Sequence, residues 1–140
     1  MGHLFSQRRA DHVKPKHLFI ADGSISVVLG AIFVVLPGLA LSILGIPPRD
    51  QARQLLMSFL GASLIANGAF QLLMRNQADG PAGLAFMRAN LVFDVLGAAL
   101  SFIGLITGIF NVAGWLFVVA FVVIGVPHGY WGFIRPRRRG

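Results

Sequence analysis

The stretch "RANLVFDVLGAALSFIGLITG", residues 88–108, decides the fold that we predict for this chain of 140 residues. It is long and apolar enough to cross a hydrocarbon core of about 30 Å as a helix. Asn90 and Asp94 nevertheless lie inside it. A carboxylate at the centre of a membrane helix costs about 2.5 to 3.5 kcal/mol on insertion scales, so it is expected to face protein or water rather than lipid. Asp94 is therefore the first candidate functional residue.

The small and polar residues of this stretch share one helix face. At 100° per residue they stay within about 40° of one line. The residues of this stripe are Asn90, Asp94, Gly97, Ser101, Gly104 and Gly108. Small residues let helix backbones approach closely in lipid, and polar residues can hydrogen-bond across the contact. We predict that the stripe faces the protein interior, whereas Arg88, on another face, extends to the headgroups.

The composition indicates a membrane protein. Hydrophobic residues make up 56% of the chain, charged residues make up 12%, and the mean hydropathy is +0.74. This is too apolar for a soluble domain of this size. The net charge of +7 would suggest nucleic-acid binding on a soluble face, but the basic residues lie at the chain ends and in short loops. We therefore expect the lipid bilayer as a partner and no nucleic acid.

Four apolar segments predict an all-α fold, an integral membrane four-helix antiparallel bundle. The segments run from about Leu18 to Ile46, Leu55 to Met74, Leu84 to Phe110 and Val112 to Ile134. Short breaks rich in Gly, Pro, Asn or Asp separate them, and such short connections make neighbouring helices antiparallel. Residues 18–134 are thus predicted to form a single four-span transmembrane domain, with basic cytoplasmic tails at residues 1–17 and 135–140.

The distribution of positive charge predicts the orientation. Ten of the 12 Lys and Arg residues fall on one side of the predicted bundle, namely Arg8, Arg9, Lys14, Lys16, Arg75, Arg88, Arg135, Arg137, Arg138 and Arg139. Arg49 and Arg53 fall on the other side. Because short loops rich in Lys and Arg stay in the cytoplasm, both termini are predicted to be cytoplasmic, and the membrane is taken to be the plasma (inner) membrane. Trp115 and Trp131 are expected near opposite interfaces.

The polar residues inside the spans share a depth. On every span they lie roughly 6 to 12 Å inside a basic residue of the cytoplasmic side, at 1.5 Å per residue. This candidate polar cluster comprises Asp22, Asn67, Gln71, Asn90, Asp94 and His128. The outer half of the spans has almost no polar residue. We predict a polar cluster or water-accessible pocket in the cytoplasmic half, closed toward the outside by an apolar plug.

Each of these residues has a structural and a functional interpretation. Asp94 either hydrogen-bonds an Asn or Ser of a neighbouring helix, which is the favoured role, or acts as a proton-titrating or cation-binding carboxylate. Asp22 lies near the headgroups, or shares a proton with Asp94 if the two face each other. Ser63, Asn67 and Gln71 recur every four residues, which predicts a hydrogen-bonding seam between helices.

The sequence contains no recognisable catalytic, metal or cofactor motif. His128 follows Pro127 and is expected to be an interfacial residue rather than a ligand. Haem ligation would need a second deep histidine, and the candidate, His17, falls at the surface. The chain has no cysteine and no HExxH spacing, so neither a cysteine metal site nor a metal hydrolase site is expected. The residue types Ser101, His128 and Asp94 alone do not argue for nucleophilic catalysis. We expect no enzyme and no cofactor.

Several segments resemble a known group of membrane proteins. They are "VLPGLALSILG" at residues 35–45, "LLMSFLGASLIANGAFQLL" at residues 55–73, the aspartate of the third span, and "GWLFVVAFVVIGVPHGYWGF" at residues 114–133. With these features, most of residues 18–134 resembles the small four-helix bacterial membrane proteins of the DoxX-like kind. The resemblance implies, for some relatives, a membrane subunit of a quinone-linked oxidoreductase, but no quinone motif can be matched here.

Three functions follow from these features. The first is a non-enzymatic membrane protein, either an accessory subunit or a bundle that binds lipid or a small ligand. The alternative is an oligomeric proton- or ion-coupled transporter or channel that uses Asp94 and Asp22. The third, least favoured, is an intramembrane enzyme or a haem or quinone subunit. A complete pore needs polar residues in both halves of the spans, so their scarcity in the outer half favours the first. A larger membrane complex or a homo-oligomer stays open as a partner.

Overall fold

The computed structural model describes residues 15–48 and 50–134, and the regular secondary structure in these ranges is helical. The helices are α1 (Pro15–Val35), α2 (Pro37–Ile43), α3 (Gln51–Met74), α4 (Pro81–Ile106) and α5 (Gly114–Gly129). A 3-10 turn at Arg75–Gln77 continues α3, and a π-helical turn at Tyr130–Ile134 continues α5. Within the described ranges, four helices are long and apolar enough to cross a membrane. The prediction of an all-helical fold with four such helices is confirmed, and the position of the termini stays a prediction.

The predicted tails fall mostly outside the described residues. Residues 135–140 and all but the last three residues of the tail at 1–17 are not described. Of those three, Lys16 and His17 are exposed on the first turn of α1, and Pro15 is buried.

The predicted first span is wrong at its C-terminal end. Instead of running on to Ile46, the helix breaks at Leu36, where the backbone has φ −128° and ψ 51°. Pro37 causes the break, because proline restricts the residue before it and is well suited to the first position of a new helix. The short α2 that follows packs against α3. Gly45, with φ +80°, then turns the chain in a conformation that glycine adopts readily.

Most contact between helices occurs within two pairs, α1 with α3 and α4 with α5. The first pair packs through glycines seven residues apart on each helix, so that Gly23 faces Gly68 and Gly30 faces Gly61. A Cβ atom at Gly30 would lie 2.5 Å from the carbonyl oxygen of Gly61. Only residues without a side chain allow two backbones to approach this closely. The pair is therefore a tightly packed unit.

The second pair packs through the stripe of α4. Gly97 makes room for the ring of Phe121, and Gly104 makes room for the ring of Phe110, since an added Cβ would lie 2.6 Å from either ring. The buried residues of the stripe are Asn90, Asp94, Ser101 and Gly104. Gly108 departs from the prediction, because it is exposed and, with φ +71°, lies beyond the end of α4. Most of the stripe thus faces the interior, as predicted.

The two tryptophans differ in exposure. Trp115 is 48% exposed near the start of α5. Trp131 is only 8% exposed and belongs to an apolar core cluster with Phe19 and Met87. It lies in the π-helical turn, where the chain packs back on α4. Trp131 is therefore buried in the bundle rather than exposed on its surface, and the position of the two tryptophans near opposite interfaces stays a prediction.

Polar contacts lie at both ends of the bundle, one within a helix pair and one between the two pairs. At the end where α4 begins, Arg88 donates from Nε to the carbonyl oxygen of Gly132 at 2.9 Å, and its guanidinium lies 5.0 Å from the centre of the Phe133 ring. At the other end, Asn111 donates from Nδ2 to the carbonyl oxygen of Ile43 at 3.0 Å. The second contact joins α2 to the loop between α4 and α5.

Candidate functional site

Side chains from α1, α3, α4 and α5 meet in one buried polar cluster. Its central members are Asp22, Gln71, Asp94 and His128, none of which is more than 6% exposed. The cluster lies in the half of the bundle where α1 and α4 begin and α3 and α5 end. The side chains that the sequence predicts to lie at the same depth therefore also lie close together in the structure.

His128 lies between two carboxylates of different helices. Its Nδ1 is 2.7 Å from Oδ2 of Asp94 on α4, which is a hydrogen-bond distance. Its Nε2 is 3.7 Å from Oδ2 of Asp22 on α1, within ion-pair range but beyond a hydrogen bond. The imidazole is fully buried. One ring thus links the two carboxylates, and with them the two helix pairs.

Asp22 is held by partners on its own helix pair. Gln71 donates from Nε2 to Oδ2 of Asp22 at 2.6 Å, and Ser26 donates from Oγ to Oδ1 at 3.4 Å. A buried carboxylate is costly unless it is paired or hydrogen-bonded. These two donors therefore reduce the cost of placing Asp22 inside the bundle.

Two asparagines extend the cluster between α3 and α4. Asn67 donates from Nδ2 to Oδ1 of Asn90 at 3.3 Å. Three polar atoms in the cluster are nevertheless buried without a hydrogen-bond partner among the described residues, namely Oε1 of Gln71, Nδ2 of Asn90 and Nε2 of His128. An unpaired buried polar group costs about 1 to 3 kcal/mol. The cluster can therefore form further hydrogen bonds, either by binding a proton or by binding a polar group.

The expectation for His128 is wrong, because this residue lies inside the protein and not at an interface. The reason is Gly125, one turn earlier on α5, where an added Cβ would lie 3.1 Å from Cβ of Asp94. The missing side chain lets α5 approach α4 closely, so that His128 reaches Asp94. A glycine three residues before the histidine is the signal in the sequence that could have indicated this contact.

The predicted seam on α3 holds for two of its three residues. Asn67 and Gln71 make the contacts described above, but Ser63 is exposed and donates to the carbonyl oxygen of Phe59 on its own helix at 3.0 Å. A serine can satisfy its hydroxyl within its helix in this way. Asp94 also has a histidine as its partner, and not the expected Asn or Ser.

The other half of the bundle contains an apolar cavity of about 1000 Å³. Residues that line it include Phe33, Leu60, Phe93, Leu96, Phe117 and Phe121. The lining is as apolar as the sequence predicts, but it does not form the expected plug. The cavity walls on α3 and α4 belong to different helix pairs, which contact each other little here and leave the space between them open.

Two polar side chains line this cavity. Ser101 is 7% exposed, and among the described residues none hydrogen-bonds its hydroxyl. Arg53 is about half exposed and lies 3.8 Å from Asp50, which is also exposed. Leu96 and Leu100 line the cavity while more than half of their surface is exposed. The cavity is therefore accessible from the side of the bundle, where lipid chains would lie.

The candidate residues for metal binding and for nucleophilic catalysis can be located in the structure. Among the described residues, no group of three or more His, Cys, Asp or Glu side chains is arranged to hold a metal ion. Ser101 lines the cavity, whereas His128 and Asp94 pair with each other in the cluster.

Comparisons with protein-family models, with curated proteins and with solved structures found no match. The DoxX-like resemblance stays a prediction.

Proposed function

We propose that this protein is a non-enzymatic membrane protein that binds a lipid-like ligand in the cavity between its two helix pairs. The observation that supports this function best is the cavity itself, whose volume of about 1000 Å³ lies at the upper end of the range of about 300 to 1000 Å³ for small-molecule sites. A mostly apolar lining with a small number of polar groups is typical of such sites.

The lining indicates the chemistry of the ligand. Its body is apolar, since phenylalanine and leucine side chains form most of the walls. It also carries a hydrogen-bonding group, because the hydroxyl of Ser101, which lines the cavity, can both donate and accept. A polar group of this kind fixes the orientation of the bound ligand. Entry takes place sideways from the bilayer, past Leu96 and Leu100.

Two neighbouring substitutions test this function. Leu96 lines the cavity and is 57% exposed, whereas Val95, its neighbour on α4, is 59% exposed and is not part of the lining. We expect Leu96→Trp to fill the cavity and to remove copurified lipid that native mass spectrometry detects on the wild-type protein. Val95→Trp is the matched control and is expected to retain that lipid. Equal lipid retention by both variants, or a wild-type protein without bound lipid, would contradict the proposal.

Charge supports a location in the plasma (inner) membrane with both termini in the cytoplasm, because the loops on that side carry most of the Lys and Arg residues. In this position the protein would act as an accessory subunit of a larger membrane complex or as a homo-oligomer. Copurification of the tagged full chain from native membranes, without and after mild crosslinking, would identify such a partner. Recovery of an uncomplexed monomer in both preparations would contradict this part of the proposal.

A second candidate function is proton- or ion-coupled transport through Asp94 and Asp22. It is supported by the position of His128 between the two carboxylates, because such chains of acidic and histidine residues occur in proton relays. In proteoliposomes, Asp94→Asn would then abolish an ion flux that depends on a pH gradient. Wild-type liposomes without any such flux would exclude this function.

A further inference from the structure

We propose that Asp22, His128 and Asp94 form a proton-binding site that stabilises the contact between the two helix pairs. We further propose that a proton bound there strengthens ligand binding in the cavity. The first half of this inference concerns the polar cluster alone. The second half rests on the ligand-binding function proposed above.

The two contacts of His128 indicate where the proton binds. Because an ionised carboxylate only accepts, the contact of 2.7 Å between Nδ1 and an ionised Asp94 requires an N–H group on Nδ1 as the donor. Without a further proton, Nε2 then presents a lone pair to Oδ2 of Asp22 at 3.7 Å, so two acceptors face each other in a buried place. A proton on Nε2 turns this nitrogen into a donor and makes the imidazole positive, so the contact with Asp22 becomes an ion pair.

The charges around His128 favour this proton. The carboxylates that face the imidazole are Asp22 from α1 and Asp94 from α4, and α3 contributes the neutral amides of Gln71 and Asn67. Within the described ranges, no Lys or Arg forms an ion pair with either carboxylate. Two buried carboxylates without a compensating charge are costly, so a positive imidazole between them lowers the cost.

The proton also strengthens the contact between the two helix pairs. Asp22 belongs to the pair of α1 and α3, whereas His128 and Asp94 belong to the pair of α4 and α5. The ion pair that the proton creates between Nε2 and Asp22 therefore joins one pair to the other. The contact between Nδ1 and Asp94, by comparison, lies within a single pair.

The cavity lies between the same two pairs. Its walls include Leu60 on α3 and Leu96 on α4, and their spacing depends on how the pairs are held. A site whose walls are held in place before binding loses less freedom when the ligand enters, so the ligand binds more tightly. Because coupling between two sites is reciprocal, ligand binding must in turn favour proton uptake.

The test measures lipid affinity as a function of pH. The purified full chain in detergent micelles is titrated with a pyrene-labelled diacylglycerol between about pH 5 and pH 9, a range that includes the usual titration of histidine. We expect the dissociation constant to rise at least about fivefold from the low to the high end of this range. In Asp22→Asn and in His128→Gln the dissociation constant is expected to stay constant across this pH range, because the proton no longer creates an ion pair between the two helix pairs.

A surface histidine provides the matched control. His17 is exposed on the first turn of α1, so His17→Gln is expected to keep the pH dependence of the wild-type protein. If both cluster variants fail to fold, nitrogen NMR of the wild-type protein labelled at histidine replaces them. We expect both ring nitrogens of His128 to carry a proton at the low end of the range.

The possible outcomes separate the two proposals. Lipid binding with the same affinity at every pH would overturn the coupling while leaving the ligand-binding function in place. An Nε2 atom of His128 without a proton throughout the range would overturn the proton site itself. A wild-type protein that binds no lipid at any pH would contradict the ligand-binding function and, with it, the coupling.

Discussion

At the scale of single residues, Gln71 supports the cluster without being titratable. It is fully buried, and its amide donates to Asp22 at 2.6 Å. Gln71→Leu keeps a similar volume but removes this donor from a buried carboxylate. We expect a loss of about 1 to 2 kcal/mol in the free energy of unfolding, measured by denaturation in mixed detergent micelles.

Ser63 is the control for this change, since it lies on the same helix but is exposed and bonds within that helix. Ser63→Ala is expected to change the free energy of unfolding by less than about 0.5 kcal/mol. If the two variants have the same stability, Gln71 does not support the cluster.

The polar cluster shows how far single residues can be predicted from the sequence. The shared depth of Asp22, Gln71 and Asp94 follows from counting residues from the basic ends of the helices, and the structure places these residues together. The pairing of His128 with Asp94 could not be predicted from the sequence. It depends on how closely α5 approaches α4 at Gly125, and such an approach is a property of two helices together.

At the scale of helices, the glycine contacts hold α1 and α3 together. An added Cβ at Gly61 would lie 2.6 Å from the carbonyl oxygen of Gly30 and 2.8 Å from Cβ of Phe33. We therefore expect Gly61→Ala to destabilise the protein by about 1 to 3 kcal/mol, as overpacking does elsewhere. Thermal unfolding in detergent gives the measurement.

The control for this prediction is a glycine with space around it. At Gly38 the nearest atom to an added Cβ is Cβ of Pro48 at 3.6 Å, an ordinary contact. Gly38→Ala is expected to be neutral or slightly stabilising, because alanine favours a helix over glycine by up to about 1 kcal/mol. Similar effects at both positions would show that α1 and α3 do not pack as described.

The helices themselves were largely predictable, and the space between them was not. Hydropathy identifies the four long helices, and Pro37 could have indicated the break after Leu36. The cavity could not be predicted, because it depends on the distance between α3 and α4. The apolar residues of its walls would equally suit a filled core.

At the scale of the whole molecule, the orientation in the membrane can be tested on this chain with single cysteines, since it has none of its own. The charge distribution predicts that the N-terminal tail is cytoplasmic and that the turn before α3 is outside. An impermeant thiol reagent on intact cells should therefore label Asp50→Cys and not Ser6→Cys. The reverse labelling pattern would show that the cluster lies in the outer half of the membrane.

The central claim is that a buried contact between Asp22 and His128 joins two helix pairs, and a double-mutant cycle tests it most directly. The free energy of unfolding is measured in detergent at about pH 5, where the proposed proton is bound. The main cycle uses Asp22→Asn, His128→Gln and their double variant, and the control cycle uses Asp22→Asn, His17→Gln and their double variant. We predict an interaction energy of about 1 kcal/mol or more between Asp22 and His128, and additivity within about 0.5 kcal/mol in the control. Additive effects of Asp22 and His128 would contradict the account.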